Sequence, residues 1–407
     1  MDASLQTVEI ERNTGVFNWP FSRVAISLEA SMIREILKMS SKPGVINFAG
    51  GLPAPELFPI DQLRECVDAV LTNSGAASLQ YSLTQGILSL REYLAEHVTK
   101  KGLPVTAENI TITSGSQQGL DLVGRAFLEP GDYVLTELPT YVGALQAFNF
   151  YQAIYCPVTM DNHGILVDQA EEKIKQFKPK FIYLVPNFQN PSGITMSLER
   201  RQKVIDLAFK YHIPVVDDNP YGELRFSGKA VPSLRGIGGD AVIGLGTFSK
   251  LISPGLRIGW VVAPIACSKI IEKVKQAVDL HSATFPQYVI YEFLKRGYLE
   301  PHIEKIKVAY AHRLDVMEHA MSEYFPENVT WPHPEGGLFL WLQLPEHVSA
   351  MKMLNESIDA GVAFVPGKPF HPDGSGDNTM RLNFANATPE GIVEGIKRLS
   401  MVLKKYC

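Results

Sequence analysis

The stretch Ala241-Val-Ile-Gly-Leu-Gly-Thr-Phe-Ser-Lys250 starts as an apolar run of the kind that forms a buried strand, and it ends in small, polar residues and a lysine. Arg257 follows seven positions later. A lysine amine in a desolvated place beside a second cation loses proton affinity and can attack an aldehyde. A lysine that merely closes a surface loop is the alternative interpretation. We therefore predict a strand over 241–246 and a reactive amine at Lys250, just beyond it.

Short apolar runs of the same kind recur between about residues 60 and 290 and alternate with segments of helical periodicity. Strands that are apolar throughout and separated by helices indicate a parallel sheet covered on both faces. We predict an α/β fold with a mainly parallel sheet of the seven-stranded type, flanked by helices. The predicted strands include 110–113, 133–136, 181–185, 213–217 and 241–244, and the predicted helices include 117–128, 168–176 and 198–211.

The chain of 407 residues is longer than one hydrophobic core usually supports, so we expect more than one domain. After about residue 290 the pattern changes to long amphipathic helices followed by short strands at 337–342 and 380–384, which predicts a smaller α+β domain. Near the amino terminus, 24–40 has helical spacing and 50–59 reads as a loop. The predicted units are an N-terminal arm and helix that belong with the small domain (1–59), a large α/β domain (60–290) and the small domain itself (291–407).

Composition argues against several classes of function. The chain is 45% apolar and 20% charged, with a net charge of −5, so it lacks the basic surface that nucleic acid or an anionic membrane would attract. Its ten histidines show no metal-ligand spacing, and its four cysteines show no paired spacing, so we expect no metal and reduced thiols. Because there is no signal-peptide pattern and no apolar run near the roughly 20 residues of a membrane span, we expect a cytoplasmic protein.

One strand-to-helix junction has the character of an anion site. Thr113-Ser-Gly115-Ser-Gln117 runs from a predicted strand into a predicted helix, whose first N–H groups lack partners within the helix. Gly115 lets the backbone approach an anion closely, while Ser116 and Gln117 present amides; a plain helix cap is the alternative. The side chains that would complete a phosphate cradle are those of Thr247, Ser249 and Arg257.

Polar side chains follow two further predicted strands. Asp218 and Tyr221 lie in Val215-Val-Asp-Asp-Asn-Pro-Tyr221, and Asn190 comes after the strand at 181–185. Open α/β sheets bind ligands at the carboxyl ends of their strands. Asp218 there can keep a pyridine nitrogen protonated, and Tyr221 and Asn190 can donate to a phenolic oxygen. Ordinary Asp-Asn-Pro and Asn-Pro turns are the alternative.

An amine for an aldehyde, a phosphate cradle, a carboxylate for a ring nitrogen and donors for a phenolic oxygen together match pyridoxal phosphate. Tyr141, in Glu137-Leu-Pro-Thr-Tyr141, can stack on the cofactor ring, although a loop tyrosine is more often simply packed. Arg381 lies among apolar neighbours in a predicted strand, and its planar fork suits the α-carboxylate of a substrate. An ion pair within the domain is the alternative for Arg381.

Taken in chain order, the motifs of this sequence resemble those of the fold type I pyridoxal-phosphate aminotransferases of class I and II. The resemblance extends over 46–398, and its subgroup is that of the 2-aminoadipate and aromatic aminotransferases, to which 48–59 and 364–370 are most similar. It implies a homodimer with shared active sites, in which Tyr81 reaches the phosphate of the neighbouring subunit's cofactor. The motifs are Tyr81-Ser-Leu-Thr-Gln-Gly86, Ser114-Gly-Ser-Gln117, Pro139-Thr-Tyr141, Asn190-Pro-Ser-Gly, Asp218-Asn-Pro-Tyr221, Ser249-Lys250, Gly255-Leu-Arg257 and Arg381-Leu-Asn-Phe.

The resemblance implies exchange of an amino group between 2-oxoglutarate and an L-2-amino acid, whether aromatic, leucine-like or 2-aminoadipate, by a ping-pong mechanism. Lys250 would move the α-proton, and Arg381, Asn190 and the backbone at Gly51 would bind the substrate. A lyase or decarboxylase on the same scaffold is the alternative, because the cofactor site is shared. An effector-sensing regulator domain is disfavoured because the residues before the first motif are few and not basic, and a dinucleotide-binding oxidoreductase because no GxGxxG follows a strand.

The chain departs from its relatives at one position. In relatives specialised for 2-aminoadipate, an arginine for the side-chain carboxylate lies three residues before an Ala-Ser-x-Ile-Arg segment. Here that position is Ser27, before Ala30-Ser-Met-Ile-Arg34, and Arg23 lies one helical turn earlier on the same face. Arg23 is therefore the candidate for a side-chain carboxylate. The aromatic residues that instead favour an apolar or aromatic pocket are Phe17, Trp19 and Phe21.

Overall fold

The computed structural model describes residues 19–28, 32–39, 43–100, 102 and 104–407. The helices in those ranges are α1 (Arg23–Ser27), α2 (Met32–Met39), α3 (Ile60–Ser78), α4 (Leu88–Thr99), α5 (Ser116–Phe127), α6 (Val142–Asn149), α7 (Val167–Phe177), α8 (Leu198–Tyr211), α9 (Leu234–Gly238), α10 (Ile265–Asp279), α11 (Thr284–Lys295), α12 (Leu299–Tyr324), α13 (Ala350–Asp359) and α14 (Pro389–Tyr406). The strands are β1 (Ile46–Asn47), β2 (Ile110–Thr113), β3 (Tyr133–Leu138), β4 (Ile154–Asp161), β5 (Gly164–Ile165), β6 (Phe181–Leu184), β7 (Val215–Asp218), β8 (Val242–Thr247), β9 (Gly259–Val262), β10 (Phe339–Gln343), β11 (Val362–Ala363), β12 (Val365–Pro366) and β13 (Thr379–Asn383).

The large sheet has the strand order β2-β9-β8-β7-β6-β3-β4-β5. The strands from β8 to β4 pair in parallel, whereas β9 is antiparallel to both of its neighbours and β5 is antiparallel to β4. Strands β2, β6 and β7 are buried along their whole length, as expected where helices cover both faces of a sheet, and β6 accordingly reads as a continuous apolar run. The predicted α/β fold with a mainly parallel sheet is confirmed.

The differences from the predicted elements have local causes. Strand β4 was not predicted because its side chains alternate between partly exposed and buried and because Pro157 interrupts the run. Strand β9 was not predicted because it is short and follows a turn. The single helix predicted over 24–40 is wrong, since Leu28 adopts extended backbone (φ −70°, ψ 122°) and ends α1 at Ser27. The predicted helices over 117–128, 168–176 and 198–211 correspond to α5, α7 and α8.

A second sheet, β10-β13-β12, is antiparallel and carries the C-terminal residues. The amino-terminal strand β1 pairs in parallel with β11, with Ile46 opposite Val362. This pairing supports assigning the first 59 residues to the small domain, although the boundaries at 59/60 and 290/291 stay a prediction. No described helix has both the length and the apolar character required to cross a membrane.

The sheet places the candidate residues at one edge. Strands β3, β6, β7 and β8 are parallel, so their carboxyl ends meet at the same side of the sheet. Asp218 ends β7, and Thr247 ends β8. The loops that follow β3 and β6 carry Tyr141 and Asn190. The topology therefore gathers residues that are more than a hundred positions apart in sequence.

Candidate active site

Lys250 lies three residues beyond the end of β8, where its chain leaves the sheet. Its Nζ donates to the carbonyl oxygen of Gly51 at 2.8 Å, so the glycine-rich loop of the amino-terminal segment closes over the lysine. Burial first, and then the positive charges of Arg381 and Arg257, lower the pKa of the amine to about 8. The amine is therefore a better base and nucleophile near neutral pH than a surface lysine.

Asp218 is 1% exposed at the end of β7. The hydroxyl of Tyr183 donates to its Oδ2 at 2.8 Å, whereas its Oδ1 has no hydrogen-bond partner in the part of the chain that the structure describes. Burial, and then the neighbouring charge of Asp217, raise the pKa of Asp218 to about 7. A buried carboxyl oxygen without a partner calls for a donor. The N–H of a protonated pyridine ring is a donor that fits this need.

Arg381, Asn190 and Tyr221 form a chain of buried hydrogen bonds. Arg381 Nη1 donates to Asn190 Oδ1 at 2.8 Å, and Asn190 Nδ2 donates to the Tyr221 hydroxyl oxygen at 3.3 Å. A second guanidinium nitrogen donates to the carbonyl oxygen of Ala49 at 2.6 Å, and the guanidinium carbon lies 4.2 Å from the centre of the Phe339 ring. These contacts fix the guanidinium in one place.

Among the described residues, no carboxylate pairs with Arg381. Its side chain is 2% exposed, its Nε has no hydrogen-bond partner in those ranges, and none of the described ion pairs includes it. Burial lowers its pKa to about 10. A buried cation that lacks a counter-ion attracts an anion, and the planar fork of arginine matches a carboxylate.

The residues predicted to bind phosphate are in mutual contact. Thr247 Oγ1 donates to Ser249 Oγ at 2.9 Å, and Arg257 Nη1 donates to the same oxygen at 3.3 Å. Arg257 Nη2 donates to the carbonyl oxygen of Ser114 at 3.1 Å. Gly115 has φ +75°, and a Cβ there would lie 2.4 Å from Arg257 Nη2. Only glycine therefore allows the guanidinium to lie against this turn, and the chain builds a cradle that a side chain would fill.

The start of α5 completes the cradle. Ser116 and Gln117 occupy its first turn, so their backbone N–H groups have no acceptor within the helix. The Gln117 side chain donates to the carbonyl oxygen of Gly143 at 2.8 Å, which leaves its backbone amide for an anion. Tyr141 precedes α6, and its ring lies so close to Gly143 that a Cβ there would be 2.5 Å from the hydroxyl oxygen. Burial is the main cause that raises the pKa of Tyr141.

Two predicted residues are not brought into this cluster within one chain. Tyr81 is 79% exposed, and its ring packs edge-on against His281. Arg23 is exposed on α1, and no described contact joins it to the cluster. Trp19 and Phe21 are likewise exposed, whereas Phe17 lies outside the described residues.

Two residues near the site were missed by the sequence analysis. Tyr183 was read as one more apolar position of β6, and its only signal is a polar hydroxyl in an otherwise aliphatic and aromatic strand. Arg34 was quoted only as part of a motif. It lies on α2, and its positive charge is among the causes that lower the pKa of Tyr141, against the larger effect of burial. The sequence pattern gave no signal for it, because it lay within the single helix predicted over 24–40.

A buried polar support beneath the Asn190 turn was also missed. Gln189 donates to Glu137 Oε2 at 3.1 Å and to the carbonyl oxygen of Pro139 at 2.8 Å, and it accepts from the N–H of Ser192 at 2.8 Å. Glu137 is fully buried, and burial raises its pKa to about 8. The pair ties together the loops that carry Asn190 and Tyr141. A glutamate at a strand end gives no such signal in sequence alone.

Comparison with known proteins agrees with this geometry. The profile of the family "Aminotransferase class I and II" matches residues 45–399. The aromatic-amino-acid aminotransferase 1 of Thermococcus litoralis is 44% identical over 392 residues, which are 95% of this chain and 94% of that protein.

Two solved structures are similar over the same range. The kynurenine aminotransferase of Pyrococcus horikoshii, in complex with PMP, superposes with a TM-score of 0.91 at 44% identity and covers 95% of this chain and 97% of its own. The α-aminoadipate aminotransferase LysN of Thermus thermophilus, complexed with N-(5'-phosphopyridoxyl)-L-leucine, superposes with a TM-score of 0.89 at 39% identity and the same coverage. The chain belongs to the class I and II aminotransferases, and it is a transaminase whose cofactor is pyridoxal phosphate.

Proposed function

We propose that this enzyme transfers the amino group of an L-2-amino acid with an aromatic, leucine-like or 2-aminoadipate side chain to 2-oxoglutarate, in a ping-pong reaction. The observation that carries the proposal is Arg381, a buried guanidinium without a carboxylate partner among the described residues. Arg381 donates to the carbonyl oxygen of Ala49 and Lys250 to that of Gly51, so both groups contact the same short loop. An α-carboxylate bound by Arg381 therefore brings its amino acid next to the lysine.

Pyridoxal phosphate, when bound, supplies an electron sink for the carbon next to the substrate nitrogen. Around it we assign tasks to the chain's own atoms. Lys250 Nζ would take the proton from the α-carbon of the substrate and deliver it to the cofactor carbon that holds the substrate nitrogen, which suits an amine with a pKa lowered to about 8. Asp218 Oδ1 accepts a hydrogen bond from the ring nitrogen and so keeps a proton there. Tyr221 and Asn190 donate to the phenolic oxygen.

Other residues are assigned to bind the cofactor and the α-carboxylate of the substrate. Gly115, Ser116, Gln117, Thr247, Ser249 and Arg257 hold the phosphate, and Tyr141 lies against the ring. Arg381 and Asn190 hold the α-carboxylate, with Gly51 at the same end of the site. The contact of Gly51 with Lys250 supports this last assignment, because it places the amino-terminal loop over the reacting amine.

We also propose a homodimer with shared active sites. Tyr81 supports it, because a tyrosine that is 79% exposed beside exposed Leu79 and Leu83 forms an apolar surface of the kind that a second chain covers. On this proposal the Tyr81 hydroxyl reaches the phosphate in the partner subunit. A cytoplasmic location stays a prediction.

The first experiment is an absorbance spectrum of the holoenzyme before and after single amino acids are added without an acceptor. The visible band of the lysine-bound cofactor should be lost on amino-acid addition and restored by 2-oxoglutarate. Ranking leucine, phenylalanine, 2-aminoadipate and aspartate by the extent of conversion then defines the side-chain class. Release of ammonia and pyruvate instead of a matching 2-oxo acid would indicate a lyase and would refute the proposed reaction.

A further inference from the structure

A second cavity lies behind the cofactor-binding edge, on the opposite face of the large sheet. Its volume is about 110 Å³, and its walls include Asp217 of β7, Gly244 of β8 and Val262 of β9. These three residues are in register across neighbouring strands and so face the same way. Successive side chains of a strand point to opposite faces, so Asp217 faces this cavity while Asp218 faces away from it. The cavity therefore lies on the face of the sheet away from Asp218, and Thr247 at the end of β8 borders both the cavity and the phosphate cradle.

The space exists because β8 carries glycine at residue 244. A Cβ there would meet nothing nearer than Arg235 Cδ at 3.8 Å and Val262 Cβ at 3.9 Å. At Gly246, on the same strand, a Cβ would instead lie 2.2 Å from the ring of Trp260. Packing therefore requires glycine at 246 but not at 244. A strand interior ordinarily favours a larger residue, so the glycine at 244 leaves a volume open that a side chain could fill without a clash.

Two buried polar atoms line this volume without partners among the described residues. They are Oδ1 of Asp217 and Nε of Arg235, whose residues are 2% and 4% exposed. The other Asp217 oxygen accepts from the backbone N–H of Arg235 at 3.4 Å, and Arg235 Nη1 donates to the carbonyl oxygen of Gly239 at 2.9 Å. One acceptor and one donor therefore remain. Buried groups in this condition normally have a partner, and a molecule inside the cavity that their residues line can supply it.

The chemistry of the walls restricts the occupant. Asp217 and Arg235 carry opposite charges, so a neutral molecule suits the site better than an ion of either sign. A hydroxyl group is both a donor and an acceptor, so it offers a partner of the kind that Asp217 Oδ1 needs and of the kind that Arg235 Nε needs. The rest of the wall combines apolar residues, Trp260 and Leu251 among them, with the His97–Glu223 pair, whose side chains are 3.2 Å apart. For scale, an engineered apolar cavity of about 150 Å³ binds benzene, so the present one has room for a body no larger than one small ring.

We propose that this cavity is a binding site for a small neutral alcohol or phenol, held by its hydroxyl between Asp217 and Arg235 and by its apolar body against Trp260. The site is independent of the proposed substrate class. Because β7 separates it from Asp218, its ligand does not compete with the amino acid or with 2-oxoglutarate.

The test is calorimetric titration of the holoenzyme with phenol. A ligand of this size that makes both hydrogen bonds should bind with a Kd of roughly 1 mM or below. Toluene lacks the hydroxyl and should bind at least about tenfold more weakly, since both polar atoms then stay unpaired. Gly244→Val fills the cavity and should weaken phenol binding at least about tenfold while turnover stays within about twofold of the parent enzyme.

A crystal structure of the phenol-soaked holoenzyme shows where any bound phenol lies. Phenol between Asp217 and Arg235 supports the proposal. Two results overturn the proposal. One is a cavity that contains ordered water alone; the other is phenol affinity that Gly244→Val leaves unchanged because the ring occupies the substrate side of the sheet. If Gly244→Val does not fold, Gly244→Ala adds one methyl group at ordinary contact distances and serves the same comparison.

Discussion

Two consecutive residues of β7, Asp217 and Asp218, point to opposite faces of the large sheet. Asp218 and Asp217 are both buried, both carry one carboxyl oxygen without a partner among the described residues, and burial raises the pKa of both. Asp218 faces the loops that carry Lys250 and Asn190, whereas Asp217 faces the cavity behind the sheet. The same residue type with the same burial thus meets two different surroundings, because the alternation of a strand assigns each carboxyl to one side.

The strongest test of this division removes the reacting amine from the active-site face. Lys250→Ala should bind the cofactor through the phosphate cradle and yet show no multiple turnover, because the amine assigned to the transfer of the α-proton is lost. Steady-state assays together with a fluorescence measurement of bound cofactor check this. Lys203→Ala, a change of an exposed lysine, is the matched control and should leave turnover unchanged. Normal turnover in Lys250→Ala would remove the lysine from the reaction.

The direct test compares the two carboxyl groups. Asp218→Asn should lower kcat by about 10²- to 10⁴-fold, since an amide cannot keep a proton on the ring nitrogen. Asp217→Asn removes a charge from the other face and should change kcat by less than about fivefold, with its effect confined to stability. Single-turnover rates and thermal unfolding of both variants make the comparison. A loss below about threefold in Asp218→Asn would show that the two faces are not distinct in function.

The sequence predicted the residues at the carboxyl edge of the sheet better than the residues that support them. Lys250, Asp218 and Asn190 each follow an apolar run that reads as a strand, so their place at the carboxyl edge followed from topology alone. The support beneath them did not, because the Glu137–Gln189 contact joins side chains 52 positions apart. The second cavity was equally hidden. Whether a strand glycine is crowded, as Gly246 is, or leaves space, as Gly244 does, depends on neighbouring strands.

A third prediction concerns the anchor for the α-carboxylate. Arg381→Ala should raise KM for every amino acid by about 10²-fold, because a buried, charge-assisted pair of hydrogen bonds is lost. Arg381→Lys keeps the charge without the planar fork and should recover part of that loss. Michaelis constants for phenylalanine, leucine and 2-aminoadipate check the result. A loss confined to 2-aminoadipate would reassign Arg381 to the side chain of the substrate.

The smallest expected effect concerns two arginines of the amino-terminal helices α1 and α2. Arg34 acts electrostatically on Tyr141, whereas Arg23 is exposed on α1 without a described contact to the site. Arg34→Gln should therefore raise KM for 2-oxoglutarate by up to about fivefold, the scale of an exposed ion pair, and Arg23→Gln should leave it unchanged. Raising the ionic strength should shrink the Arg34 effect, because salt screens exposed charges. A larger rise in KM for Arg23→Gln than for Arg34→Gln would assign the side-chain carboxylate of 2-oxoglutarate to Arg23. In that case α1 must move toward the site when substrate binds.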